Sequence, residues 1–132
     1  MINSKLKTRL FKATILVVLF SVAACGSAPP RQPAAVEKAR KTEQAAHRAL
    51  RDGDLLRARE LFNQALLLQR SLDNIPATTT AAINLSAVLH KLGEDSAALD
   101  LPDSVLTDTT SSVSPDMRAA AAFRRGIILA DL

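Results

Sequence analysis

Cysteine occurs once in the 132 residues, at Cys25, and tryptophan and tyrosine do not occur at all; the only aromatic side chains are four phenylalanines. A single thiol can build neither an internal disulfide framework nor the cysteine pairs of a structural zinc site. Without indole or phenol rings there is no stacking platform for bases or sugars. The histidines, His47 and His90, stand far apart with no cysteine or carboxylate cluster beside them, which is not metal-ligand spacing. Each reads as a partly exposed residue on a helix face. No glycine-rich phosphate loop, nucleophile elbow or Ser-His-Asp arrangement is present. Glu94 and Asp95 adjoin in a turn and read as helix caps rather than an acid–base pair. These absences argue against an enzyme, and no metal or cofactor is expected. A bilayer-length hydrophobic run is also missing, because Ala13–Ala24 (ATILVVLFSVAA) is too short to span comfortably.

That run follows Lys5, Lys7, Arg9 and Lys12, with no acid among the first twelve residues, and ends in small residues before Cys25. A basic segment, an apolar segment and a small-residue cleavage site describe a secretory signal over residues 1–24. Val22-Ala23-Ala24-Cys25 resembles the lipobox of bacterial lipoproteins. The resemblance implies that the Cys25 thiol receives a diacylglycerol, that the chain is cut before it, and that the new amine is acylated with a fatty acid such as palmitate. An ordinary signal with a chance cysteine, or an uncleaved anchor, would fit less well. The cysteine sits at the end of the apolar run, a tether follows, and a lone thiol is a liability in an oxidising compartment. Two or more acyl chains anchor stably where one is marginal. Residues 25–35 form the lipidated cysteine and a Pro-rich tether, GSAPPRQPAA after Cys25. Gly26 and Ser27 follow the cysteine, with no aspartate next to it. By the same resemblance this favours the outer membrane, facing the periplasm, over retention at the inner one.

Removing the signal changes the charge. The whole chain carries a formal +4, but residues 25–132 hold thirteen basic and thirteen acidic residues. The high isoelectric point is therefore no argument for nucleic-acid binding. Residues 31–70 carry nine basic and five acidic residues, and residues 73–108 carry one and six. Such a division reads as a solvated surface with attraction between neighbouring segments, rather than a field steering a charged partner.

What the remainder has is helical periodicity. Ala45, Ala46, Ala49 and Leu50 recur on one helix face, then Asp52-Gly53-Asp54 breaks the pattern. Leu55, Ala58, Leu61, Phe62, Ala65, Leu66 and Leu68 resume it. Gly53 suits the end of one helix and Asp54 the cap of the next. The spacing predicts helices over 36–51, 54–72, 78–92, 95–106 and 114–132. Asp73 to Pro76 is expected to separate the second from the third, and Pro102 to shorten or kink the fourth. Ser114-Pro115 reads as the cap and first residue of the fifth. Shifted by 40, Gly53 falls on Gly93, Ala58 on Ala98, Phe62 on Pro102, Ala46 on Ser86 and then Gly126, and Ala49 on Leu89 and then Leu129. A fixed period in this range is the mark of stacked helix pairs.

GDLLRARELFNQALLL resembles the tetratricopeptide repeat, and NLSAVLHKLGEDSAAL resembles its first helix, turn and entry to the second. The resemblance covers roughly residues 39–132, with a period longer than the family's common 34 and a departure at Pro102. It implies an all-α fold of tandem antiparallel helix pairs stacked as a short solenoid of about two and a half repeats. Repeat 1 covers 36–72, repeat 2 covers 77–106, and 114–132 is a last helix, either a cap or the edge of an array cut short. It also implies a concave groove lined by first helices, which holds a peptide. Arg40, Glu43, His47 and Arg51 would line it from the first copy, Ile83, Ala87, His90 and Lys91 from the second, and Phe123 and Ile127 from the last helix. Ile83 and Phe123 suit a core equally well. A groove basic at one end and apolar at the other fits a protein segment with an acidic and a hydrophobic part. The expectation is a scaffold or adaptor in an envelope assembly, similar in plan to secretin pilotins, subunits of the outer-membrane protein insertion machine and adaptors for cell-wall enzymes. A self-associating structural lipoprotein is the alternative.

Overall fold

The computed structural model describes residues 33–110 and 112–132; the expected signal, Cys25 and most of the tether lie outside the described residues. Five helices follow in order: α1 (Ala34–Arg51), α2 (Leu55–Ser71), α3 (Ile75–Lys91), α4 (Asp95–Thr107) and α5 (Pro115–Asp131). Among the described residues there is no strand, so the all-α expectation holds. Two boundaries need correction. Ala34 and Ala35, assigned to the tether, already belong to α1. Pro76, taken as a breaker, sits in the first turn of α3, where its missing N–H would have had no helical partner.

The helix starts are regular because the turns between them are. Gly53 N–H donates to the Leu50 carbonyl (3.2 Å) and Asp54 N–H to the Ala49 carbonyl (2.9 Å). Gly93 and Glu94 repeat this onto His90 and Leu89, at 2.9 Å each. Both glycines hold the positive φ this closure needs, 79° and 76°. Between them Asp73 adopts φ 51°, with Asp73 and Asn74 N–H donating to the Arg70 and Gln69 carbonyls. The sequence signalled the third turn through the Asp73–Pro76 break but not the positive φ at Asp73, since aspartate tolerates this conformation without advertising it. Residues 53, 73 and 93 thus close three equivalent turns, and Leu55, Ile75, Asp95 and Pro115 open helices at intervals of 20. The 40-residue period is two such modules. Asp54, Asn74 and Ser114 cap their helices by accepting from Arg57, Ala77 and Met117 N–H. Glu94 occupies the cap position of α4 without capping.

Each helix packs on the next, and α3 also packs on α5. Ala46, Ala58, Phe62, Ala81, Val88, Ala98 and Ile128 are fully buried in one continuous core. A second cluster joins Val105, Val113 and Ala121, with Ile83, Leu106 and Met117 against it. Fully buried Phe62 and Pro102 occupy equivalent places in α2 and α4. The proline does not end α4, which is four residues shorter than α2 but runs on to Thr107. Proline has no N–H for the carbonyl four residues before it, here Ala98. The Ser86 hydroxyl of α3 donates to that carbonyl at 2.6 Å, in the core. In the preceding pair, where Phe62 keeps its N–H, the residue equivalent to Ser86 is Ala46. Equivalence fails at the last helix: Gly126 is exposed and Leu129 is 44% exposed, although Ala46, Ser86, Ala49 and Leu89 are buried. Among the described residues no further helix covers that side of α5.

Candidate binding surface

On α3, burial by α2, α4 and α5 leaves one open stripe. Ile83, Ala87 and His90 are half-buried on it and Lys91 is exposed. Ile83 also touches the second core cluster, so it serves as the floor of the stripe rather than a free anchor. On α1, Arg40 and Arg51 are exposed while Glu43 and His47 are half-buried. The His47 ring stands edge-on to Phe62, with centroids 4.9 Å apart and an 88° interplanar angle, so it packs against the core. Arg40 is engaged by Glu37 through two bonds of 2.7 and 2.9 Å. That guanidinium holds the Glu37 carboxyl below its ordinary range. On α5, Phe123 is 71% exposed, which decides its alternative: it is not a core residue among those described. Ile127 is half-buried.

His90 is the most constrained of these residues, and the sequence pattern gave no sign of its role. Its Nδ1 lies 2.6 Å from Asp95 Oδ1 and its Nε2 2.9 Å from Asp131 Oδ2. A neutral imidazole has one N–H and can donate to only one of them; imidazolium donates to both. The hydrogen bond to Asp95, then that to Asp131, raises the His90 pKa above its ordinary value. One side chain thereby joins the end of α3, the start of α4 and the last turn of α5. Asp95 was foreseeable five residues away across a turn. Asp131 becomes a neighbour only through the packing of α3 on α5. The capping role expected of Glu94 and Asp95 is not what their side chains do: Asp95 meets His90, and Glu94 accepts from Arg59 of α2 at 2.8 Å.

Two small clefts flank these surfaces. One, about 240 Å³, lies at the α1–α2 turn between Arg48, Asp52, Asp54 and Arg57. The other, about 160 Å³, lies between α3, α4 and the loop before α5, lined by Thr78, Thr79, Ala82 and Val105 among others. Both fall below the ~300–1,000 Å³ usual for small-molecule sites. Among the described residues no group of three or more His, Cys, Asp or Glu is placed to hold a metal ion. No protein-family model, curated protein or solved structure matches the chain.

Proposed function

We propose that the protein is a lipid-anchored scaffold or adaptor of a bacterial envelope assembly, tethered by Cys25 at the periplasmic face of the outer membrane. Its helix pairs are read as a short tetratricopeptide-like solenoid. The pairwise equivalence of Ala58 with Ala98, both fully buried, and of Gly53 with Gly93, both at positive φ, supports that reading. The observation that carries the binding role is the open stripe of Ile83, Ala87, His90 and Lys91 on a helix otherwise covered by three neighbours. An envelope protein segment with apolar and acidic parts would meet Ile83 and Ala87 through the first and Lys91 through the second.

The test is affinity capture of the lipidated protein from detergent-solubilised envelopes, followed by mass spectrometry, beside a Lys91→Glu, Ile83→Asp variant whose helicity is checked by circular dichroism. A specific envelope protein lost with the folded variant supports the adaptor; an identical set of captured proteins refutes the stripe. The anchor is tested separately, since Cys25→Ser must abolish incorporation of labelled fatty acid. A second reading is self-association, favoured by the exposed Phe123 and Leu129 on the uncovered side of α5. Recovery of the protein's own copies alone selects it.

A further inference from the structure

The basic residues of α1 are not spread around the helix. At 100° per residue, Arg40, Arg51, Arg48, Lys41 and Lys38 fall within about 160° of arc, opposite buried Ala39 and Ala46. All five cations are exposed. Two acids share the arc, Glu37, held by Arg40 at 2.7 Å and Lys41 at 3.5 Å, and exposed Asp52 at the C-cap, which leaves a net excess of three positive charges. Glu43 lies outside the arc and is half-buried. At its C-terminal end the arc borders the small cleft of the α1–α2 turn, where Arg48 stands beside Asp52 and Asp54. A broad face with a net basic excess suits an extended anionic surface better than a shaped partner. Its place in the chain says which surface: eight residues, 26–33, separate Cys25 from α1. They span at most about 28 Å.

We infer that the outer face of α1 lies on the anionic phospholipid headgroups of the membrane that holds Cys25, so that the array is oriented as well as tethered. This rests on the lipid-anchor reading, which places α1 next to the bilayer. A basic residue at an anionic surface strengthens partition about fivefold. Three net charges would shift the docked-to-undocked ratio by about a hundred-fold relative to an uncharged bilayer.

The test uses the full lipidated protein. Because the thiol of Cys25 is consumed by lipid, Gln44→Cys inside the arc, or Asn63→Cys on the exposed side of α2, introduces a single site for a fluorophore. Each labelled protein is incubated with phosphatidylcholine vesicles, with or without phosphatidylglycerol, carrying headgroup-linked quenchers. Quenching at position 44 several-fold above that at 63, only with phosphatidylglycerol, is expected. It should be lost at about 0.5 M salt, where screening is short-ranged. It should also be lost on changing Lys38, Lys41, Arg48 and Arg51 to Gln, with helicity unchanged. Equal quenching at the two positions, or no dependence on phosphatidylglycerol, overturns the inference; a soluble acidic protein would then be the candidate for that face. The anchor is read independently by flotation with uncharged vesicles. A missing anchor and a missing basic contact therefore give different patterns, and a chain that fails to float but is still quenched at 44 by anionic vesicles supports the contact.

Discussion

Ser86→Ala removes one oxygen from the core, and its cost depends on a residue in another helix. The Ala98 carbonyl has no N–H partner at position 102, because that residue is proline, and the Ser86 hydroxyl 2.6 Å away fills the gap. Alanine at 86 leaves the carbonyl buried and unpaired, a loss of about 1–3 kcal/mol. For a folded region of this size each kcal/mol lowers the melting temperature by about 4–8 °C. Pro102→Ala restores the N–H and lets Ala98 bond within its own helix. Its own net effect combines a gain of up to about 3 kcal/mol in helix propensity with the loss of a buried ring. The prediction concerns the coupling alone. In the Pro102→Ala background, Ser86→Ala should cost less than about 0.5 kcal/mol, giving a coupling energy of about 1–2 kcal/mol. Urea melts of the four proteins, followed by circular dichroism because the chain has no Trp or Tyr, measure it. Equal costs of Ser86→Ala in the two backgrounds would refute the carbonyl argument.

Other expectations follow from the same packing. Ala58 is fully buried beside α1, so Ala58→Phe should overpack the first hairpin and cost about 1–3 kcal/mol in a urea melt. Nothing lies within 4 Å of a Cβ built on Gly53 or Gly93, so an alanine there meets only the backbone penalty of positive φ. Each substitution should cost about 1 kcal/mol, and a neutral result would mean the turn has another closure. His90 has a raised pKa in the folded protein, so its contribution is complete below the unfolded value near ~6.5 and fades as pH rises through the folded one. The melting temperatures of the protein and His90→Gln should therefore differ most near ~pH 6 and converge on the alkaline side. A difference that grows with pH would exclude the double carboxylate bridge.

How far the sequence foretold this depended on the kind of information each feature needed. Gly53, Gly93 and the 3.6-residue recurrence of Leu and Ala are local signals, and the helices they predict are present to within a few residues. The break at Asp73–Pro76 ends α2 as expected, but α3 begins at Ile75 rather than 78, because proline is neutral in a first turn and only the Asn74 cap marks that start. The 40-residue shift paired Ala46 with Ser86 and Phe62 with Pro102, yet the bond linking both departures crosses from α3 to α4. Which residues share a face was legible as well, but not which faces another helix covers. Hence the sequence leaves Phe123 between core and surface, and does not show that the His47 ring packs edge-on against Phe62. The chemistry of His90 was the least accessible, since one of its two carboxylates is 41 residues away.

The packing of each helix on its sequence neighbour has a kinetic corollary. Among the described residues every helix after α1 packs on the helix just before it in the chain, and the pairing of α3 with α5 skips a single helix. Closing such short loops costs little entropy, and rates of folding rise as contacts become more local. A polypeptide that emerges from a channel N-terminus first could therefore condense in order of arrival, α1 with α2, then α3, with no segment held waiting for a distant one. Domains built from non-local strand pairs must expose their apolar edges until the last strand arrives. Here the interval of exposure is about one helix long, a useful property for any chain that must finish folding outside the compartment where it is made.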